Sequence, residues 1–221
     1  MILAFSGPDG TGKTTLARLV ARYLAMKNVR THYIRFKAHH MGMFLILLFL
    51  RLLGVVPPTS SPRVIDYHMR RLFAKSRLFL LLELVNSIIW LLLNVKFRTG
   101  LSGKHVIVAE RYIPDFIVSM LLIRPSTKML RLYLKALSPF MENTIKVYLI
   151  AQPEDIVKRK PDESLTHEYV RILMRSYLIV ASFTGIDLLL NTSKNNLNDS
   201  LKMLLTKIRY YYISNEKLAF S

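Results

Sequence analysis

The stretch that decides the fold is FSGPDGTGKTT, residues 5–15. It holds two glycines separated by four residues, and lysine and threonine follow the second glycine directly, which is the spacing of a loop that binds phosphate. An apolar run precedes it over residues 1–6, and apolar residues at helical spacing follow it over residues 14–27. The loop therefore has the strand, loop and helix context that this motif requires, which disfavours a glycine-rich turn with no ligand.

Each residue type in this loop has a physical reason to be there. The glycines let the backbone adopt left-handed conformations, so that successive N–H groups can point at a phosphate on the helix N-terminus. Lys13 would supply positive charge to the β and γ phosphates, Thr14 would bind Mg²⁺ through its hydroxyl, and Thr15 would reach the α phosphate. We predict that the phosphates of a nucleotide are held by Gly7, Asp9, Gly10, Thr11, Gly12, Lys13, Thr14 and Thr15.

The rest of the chain alternates between strand and helix patterns. Four further short runs of buried or β-branched residues are typical of strands, and helical patterns separate them. These runs are residues 31–36, 104–110, 145–151 and 187–191. The alternation predicts an α/β fold of the P-loop NTPase type, a three-layer sandwich with a five-stranded parallel sheet and helices on both faces.

Composition limits the organisation and the chemistry. A chain of 221 residues is long enough for one well-packed domain, so we expect residues 1–221 to form a single domain. The net charge of +18 favours anionic partners such as nucleotides. Without cysteine the chain has no disulfide, thiolate metal site or cysteine nucleophile. The N-terminal residues do not resemble a signal peptide, so we expect a cytoplasmic protein.

Two apolar stretches leave their roles open. Residues 43–56 are interrupted by Arg51 and Gly54, and residues 78–93 contain Glu83 and Asn86. Both fall short of the roughly 18 to 20 apolar residues that a membrane-spanning helix needs. Buried core helices are the first interpretation. Packing in a homodimer and peripheral contact with a membrane are the alternatives, because arginines and lysines flank both stretches.

Two charged residues at the end of the predicted strand 104–110 are candidates for the second half of the site. Glu110 ends this strand, and a carboxylate in that place on a neighbouring strand commonly holds Mg²⁺ beside the phosphate loop. Arg111 follows it and would direct a two-pronged donor into the crevice at the carboxyl ends of the strands, where open parallel sheets bind ligands. We therefore predict that Thr14 and Glu110 are the metal-binding residues.

Four segments together resemble the thymidylate kinase family of nucleoside monophosphate kinases. They are GPDGTGKTT from residue 7, RLFAKSR over residues 71–77, VIVAERY over residues 106–112, and VYLIAQPEDIVKRK over residues 147–160. The similarity runs in the same order from residue 1 to about residue 193. It implies ATP and Mg²⁺ as cofactors, nucleotides as substrates, and transfer of a phosphoryl group to a nucleoside monophosphate, with dTMP converted to dTDP.

The resemblance also implies roles for individual residues. Asp9 would contact the sugar of the acceptor, Phe73 would stack on its base, and Arg77 and Arg111 would hold its base or phosphate. The full acceptor-binding set is Asp9, Arg35, Phe73, Arg77, Arg111 and Tyr112. Residues 157–168 correspond to a lid whose cations Lys158, Arg159 and Lys160 neutralise the transferring group. The predicted catalytic residues are Lys13, Arg111 and Arg159.

Departures from the family concern the acceptor. The family has Arg-Glu-Pro after its second strand, where this chain has RFKAHH from residue 35. Polar residues that read the base follow the family's arginine, where this chain has Leu78 and further apolar residues after Arg77. In this region the chain is similar to a thymidylate-kinase-like subset found among polysaccharide and glycolipid synthesis genes. Residues from about 41 to 100 are predicted to be an apolar, helical region that binds the acceptor or is an insert.

Two rival functions remain open at the sequence level. One is a kinase for a lipid-linked or sugar acceptor, which the apolar stretches and the changed residues after Arg77 favour. The other is a nucleotide-binding module at a membrane with little catalysis. Binding to nucleic acid rests on charge alone, so we do not expect it.

Overall fold

The structure is a computed structural model that describes residues 1–35, 76–96, 105–122, 125–161 and 166–219. The chain divides into two compact units. Unit 1 comprises Met1–Phe36, Gly103–Asp115 and Met141–Ser221, and unit 2 comprises Lys37–Ser102 and Phe116–Phe140. The single domain expected from chain length stays a prediction.

Unit 1 contains a five-stranded sheet in which all neighbouring strands are parallel. Its strands are β1 (Ile2–Ser6), β2 (Thr31–Arg35), β3 (Val106–Glu110), β4 (Thr144–Ile150) and β5 (Leu188–Asn191). Their order across the sheet is β2-β3-β1-β4-β5. The strands predicted from sequence are confirmed to within one or two residues at each end.

Seven α-helices lie in the described residues. They are α1 (Lys13–Met26), α2 (Arg77–Leu91), α3 (Ile113–Leu122), α4 (Thr127–Leu137), α5 (Pro153–Arg159), α6 (His167–Thr184) and α7 (Leu197–Ala219). A π-helical turn, Leu92–Lys96, follows α2, and a 3₁₀ turn, Ser138–Phe140, follows α4. None of the helices in these residues is long and apolar enough to cross a membrane.

Side chains of β4 alternate between the two faces of the sheet, as the pleat of a strand requires. Ile145, Val147 and Leu149 pack in one core with apolar residues of α1 and α7. On the opposite face, Tyr148 forms a hydrogen bond of 2.6 Å with Thr184 of α6. Helices therefore cover both faces, and the predicted three-layer α/β sandwich is confirmed.

The strand register brings three sequence positions together at one edge of the sheet. Glu110, the last residue of β3, lies opposite Phe5 on β1 and opposite Arg35 on β2. The phosphate loop follows β1 directly, so the carboxyl ends of the central strands meet beside it. This register builds the site described below.

Unit 2 contains the second of the two apolar stretches, and α2 there has one buried and one exposed side. Leu80, Leu84 and Leu91 are buried, and the Tyr133 hydroxyl of α4 donates a hydrogen bond to the Leu80 carbonyl oxygen. The opposite side, continued by Leu93 of the π-helical turn, leaves large side chains at least half exposed, namely Leu78, Leu82, Val85, Ile89 and Leu93. The stretch is therefore only partly core. Residues 43–56 lie outside the described residues.

Candidate functional site

The phosphate loop has the backbone conformation that its glycines make accessible. Gly7, Gly10 and Gly12 have φ angles of 146°, 85° and 83°. Gly12 is the left-handed N-cap of α1, and its carbonyl oxygen accepts a hydrogen bond of 3.0 Å from the Leu16 N–H. The N-terminus of α1 therefore begins inside the loop, where its dipole favours an anion.

Two of these glycines differ in what surrounds them, which gives a stability prediction. A Cβ atom at Gly7 would lie 2.2 Å from the Leu149 carbonyl oxygen, whereas a Cβ atom at Gly12 would meet nothing within 4 Å. We expect Gly12→Ala to lower the free energy of unfolding by about 1–2 kcal/mol through backbone strain alone. Gly7→Ala adds the overlap with β4 and should cost about 3 kcal/mol or more. Urea unfolding of the two variants tests this ranking, and equal losses would contradict it.

Lys13 is buried beneath the loop. Its ammonium group donates a hydrogen bond of 2.6 Å to the Pro8 carbonyl oxygen and lies 3.6 Å from a carboxylate oxygen of Asp9. Burial lowers the pKa of Lys13, and the nearby carboxylates of Asp9 and Asp115 oppose that shift. The lysine is thus held in the loop by an oxygen and a negative charge, the two features that a phosphate would supply.

Glu110 is the centre of a hydrogen-bonded group at the end of β3. Its side chain is only 1% exposed; one carboxylate oxygen accepts a hydrogen bond of 2.7 Å from the Thr14 hydroxyl, and the other accepts one from the Tyr33 hydroxyl. The Arg35 guanidinium lies 3.3 Å from the same carboxylate. Burial and the Glu110 carboxylate raise the pKa of Tyr33. Tyr33, on β2, is a member of this group that sequence reasoning missed.

The two residues predicted to bind metal lie in direct contact. A hydroxyl and a carboxylate are both hard oxygen ligands, which is the ligand type that Mg²⁺ prefers. The Thr14 hydroxyl and the Glu110 carboxylate also lie next to the loop, so both could act on the same cation. The donor set therefore fits Mg²⁺.

Arg111 and Asp9 form an ion pair across the loop, and both residues are partly buried. Burial alone would lower the pKa of Arg111, but the carboxylates of Asp9 and then Asp115 raise the pKa above its ordinary value. The guanidinium is therefore fully charged. Arg111, Asp9 and Lys13, which were predicted separately, lie close enough to interact.

A further carboxylate, Asp115, is buried next to these residues and was absent from the predicted set. It accepts a hydrogen bond of 2.7 Å from the Tyr177 hydroxyl of α6 and one of 3.2 Å from the Tyr112 N–H. Burial raises the pKa of Asp115, and the positive charges of Lys13 and Arg111 oppose the rise. Its position as the third residue of α3 is a signal for helix capping that the sequence does contain.

A cavity of about 350 Å³ lies beside the loop. Residues of the loop, of α1 and of the segment after β5 line it, among them Gly10, Thr15, Thr192 and Asn195. Arg159 closes one side, because its guanidinium donates to the Gly10 carbonyl oxygen at 3.2 Å and to the Thr192 hydroxyl and carbonyl oxygens at 3.1 and 3.0 Å. Arg159 thus contacts the rim of this cavity rather than the Arg111 ion pair.

Other predicted residues differ in burial and in whether the structure describes them. Tyr112 is completely buried. Arg77 begins α2 in unit 2 and is exposed. Lys158 is exposed near the end of α5. Phe73 lies outside the described residues, as does part of the predicted lid, residues 162–165. Their roles stay predictions.

Comparison with known proteins supports the fold. A family model described as ATPase family associated with various cellular activities (AAA) matches residues 3–49. A search of the curated proteins found no match. Among solved structures, thymidylate kinase from Candida albicans is 17% identical with a TM-score of 0.58, and the match covers 96% of this chain and 92% of that chain.

A second solved structure is the YorR protein of Bacillus subtilis in complex with phosphorylated GDP. It is 13% identical with a TM-score of 0.53, and the match covers 96% of this chain and 98% of that chain. At these identities the likeness concerns the fold. With the parallel sheet and the phosphate loop, it shows that the chain has the α/β fold of P-loop NTPases.

Proposed function

We propose that the protein is a phosphotransferase that uses ATP and Mg²⁺ to phosphorylate a nucleoside monophosphate, with dTMP as the first candidate acceptor. The observation that carries the proposal is the meeting of Lys13, the Thr14–Glu110 pair and Arg111 around one loop. Asp9 in the loop and Arg111 after β3, two residues that resemble thymidylate kinases, form an ion pair with each other. The similarity in fold to a thymidylate kinase supports the same reading.

The donor nucleotide would occupy the loop and the cavity beside it. The N–H groups of the loop and the ammonium of Lys13 would hold the β and γ phosphates. Thr14 and Glu110 would hold Mg²⁺, which supplies neutralising charge to the phosphates when it is bound. The cavity of about 350 Å³ next to Gly10 and Thr192 would receive the base, with Arg159 at its edge.

The acceptor would enter from the side of Arg111. A guanidinium presents parallel N–H groups that match phosphate oxygens, so Arg111 is suited to hold the acceptor phosphate. Its present partner, Asp9, carries the negative charge that the phosphate would bring. Asp9 would then become available for a hydroxyl of the acceptor sugar.

Phosphoryl transfer to a phosphate acceptor requires positioning and charge neutralisation more than proton transfer. A phosphate acceptor is already ionised at neutral pH, so no general base has to remove a proton. Lys13 and Arg111 would neutralise charge on the donor and acceptor sides, and the buried loop would hold the reacting groups in line. Transfer would therefore depend on Lys13 and Arg111 for charge neutralisation and not on a group that accepts a proton.

A second candidate is a kinase with a lipid-linked or sugar acceptor. The observation that favours it is the exposed apolar side of α2 and of the π-helical turn after it, where Leu78 is 68% and Leu93 is 61% exposed. Apolar surface of this kind commonly contacts a membrane, a lipid or another protein. A membrane-associated nucleotide-binding module with little catalysis would present the same surface.

The decisive experiment measures ADP release by the purified protein with ATP and Mg²⁺. The acceptors are dTMP, dUMP, the other nucleoside monophosphates and water, and Lys13→Met is the blank. We expect release that depends on a nucleoside monophosphate and is lost in the blank. Release that is the same with every acceptor, or none despite tight ATP binding, would overturn the proposal and direct the search to lipid-linked acceptors.

A further inference from the structure

Asp115 is a buried carboxylate to which the proposed transfer mechanism gives no part. It is 3% exposed and lies in unit 1 at the start of α3. Two donors from different parts of the unit point at it, the backbone N–H of Tyr112 and the hydroxyl of Tyr177 on α6. A buried carboxylate destabilises a protein unless such interactions compensate for the lost water, so its presence suggests a role.

The residue next to this contact has an unusual backbone. Arg111 has a φ of 60°, the left-handed conformation that a residue with a Cβ atom adopts at a cost in free energy. Such conformations persist where the surrounding structure enforces them, and they concentrate at functional sites. The left-handed turn at Arg111 therefore needs contacts that hold it on both sides.

Those contacts are present on both sides of Arg111. Before the turn, the Arg111 N–H donates a hydrogen bond of 2.9 Å to the Phe5 carbonyl oxygen on β1. After the turn, the Tyr112 N–H donates to Asp115, and Tyr177 holds the other carboxylate oxygen. Between these two anchors the Arg111 side chain reaches Asp9 in the phosphate loop.

We propose that Asp115, held by Tyr177, is a positioning residue that fixes the backbone turn at Arg111 and so aims the guanidinium at phosphate bound beside the loop. The inference rests on the proposed function, because that function assigns the acceptor phosphate to Arg111. The competing explanation is that Asp115 only caps α3 and contributes stability. The two explanations predict different results. If Asp115 acts through Arg111, its replacement should no longer change the reaction rate once Arg111 is also replaced.

The first test is a double-mutant cycle on acceptor-dependent ADP release. Asp115→Ala, Asp115→Asn and Tyr177→Phe are made in the wild type and in Arg111→Ala. We expect Asp115→Ala to lower kcat/KM for the acceptor by about tenfold or more with the KM for ATP within about twofold, and to have little further effect in Arg111→Ala. Tyr177→Phe should follow the same pattern with a smaller loss.

Ser126→Ala controls for the loss of a helix cap. The Ser126 hydroxyl accepts a hydrogen bond from the Met129 N–H at the start of α4, so this variant removes a comparable contact from a helix in unit 2. It should lower the unfolding temperature with no coupling to Arg111. Equal losses from Asp115→Ala in both Arg111 backgrounds would overturn the proposal and leave Asp115 a helix cap.

A binding experiment separates failure of this inference from failure of the proposed function. Inorganic tripolyphosphate, measured by calorimetry without acceptor, probes the cations of the site even if no transfer occurs. We expect Arg111→Ala to weaken its binding by about tenfold and Asp115→Ala to add less than about twofold to that loss. Asp115→Asn loses the same charge as Asp115→Ala but keeps one acceptor oxygen. Its affinity for tripolyphosphate should therefore lie between the affinities of Asp115→Ala and the wild type.

Asp115 could affect the binding of tripolyphosphate through its negative charge alone, and the same experiment detects this. If Asp115→Ala and Asp115→Asn both bind tripolyphosphate more tightly than the wild type, and do so in Arg111→Ala as well, the carboxylate acts only as a negative charge. That result would also overturn the proposal. Thermal unfolding of every variant identifies any that fails to fold, and Tyr177→Phe, which keeps the carboxylate and most of the packing, remains available in that case.

Discussion

Replacement of Lys13 by methionine is expected to reduce ADP release by about a hundredfold to a thousandfold, the loss seen when one charged or polar group that stabilises a transition state is removed. Lys13 is 4% exposed, and its ammonium group lies between the Pro8 carbonyl oxygen and Asp9 inside the loop. Among the residues that the structure describes, Lys13 is the lysine that is buried. The effect should fall on kcat as well as on ATP affinity, because the charge on the γ phosphate changes during transfer.

The same substitution is expected to leave the fold intact. Burial lowers the pKa of Lys13, so its charge is held in the loop at a cost, and an apolar side chain of similar length removes that cost. The unfolding temperature should therefore stay unchanged or rise. Lys202→Met, at an exposed position of α7, is the matched control and should change the rate by less than about twofold. A Lys13→Met enzyme with near-normal kcat would contradict the proposed role.

Local patterns predicted the sheet and the loop well because their determinants lie within a few residues of each other. The five strands are short apolar runs, and the loop depends on glycines whose backbone angles no other residue adopts easily. Glu110 and Arg111 could be predicted because Glu110 ends a strand and Arg111 follows it directly. The parallel register then brings Glu110 opposite Phe5 and beside the loop.

The residues that sequence reasoning missed act across long sequence separations. Tyr33 meets Glu110 only because β2 pairs with β3, and Tyr177 meets Asp115 only because α6 packs beside the start of α3. Tyrosines in a strand and a helix are otherwise typical core residues. Asp115 carried a local signal, its place in the first turn of a helix, but that signal predicts a cap and not a neighbour of Arg111.

The apolar stretch over residues 78–93 shows a different limit. Buried core helices are the first interpretation of its sequence, but α2 buries one side, with Leu80, Leu84 and Leu91, and exposes Leu82, Val85 and Ile89 on another. A helix with apolar residues around its whole circumference does not indicate by sequence which side meets the protein. The exposed side, which begins at Leu78, is the observation that favours the alternative of a lipid-linked acceptor.

The second large effect concerns Glu110. Replacement by glutamine keeps the shape of the side chain and removes its charge, so we expect ADP release at limiting Mg²⁺ to fall by about a hundredfold and the Mg²⁺ concentration for half-maximal rate to rise. The carboxylate is 1% exposed and accepts a hydrogen bond of 2.7 Å from the Thr14 hydroxyl, so its charge lies directly beside the other proposed metal ligand. A titration of rate against Mg²⁺ at fixed ATP measures both changes.

Tyr33→Phe distinguishes the charge of Glu110 from its hydrogen bonds. The variant removes the Tyr33 hydroxyl that donates to Glu110 but leaves the carboxylate and the Thr14 contact in place. A hydrogen bond to a charged group contributes about 1.5–3 kcal/mol, so we expect the free energy of unfolding to fall measurably and the Mg²⁺ concentration for half-maximal rate to change by only about threefold. If Tyr33→Phe loses as much activity as Glu110→Gln, the hydrogen-bonded group and not the metal-binding charge determines the rate. The assignment of Glu110 to Mg²⁺ would then be wrong.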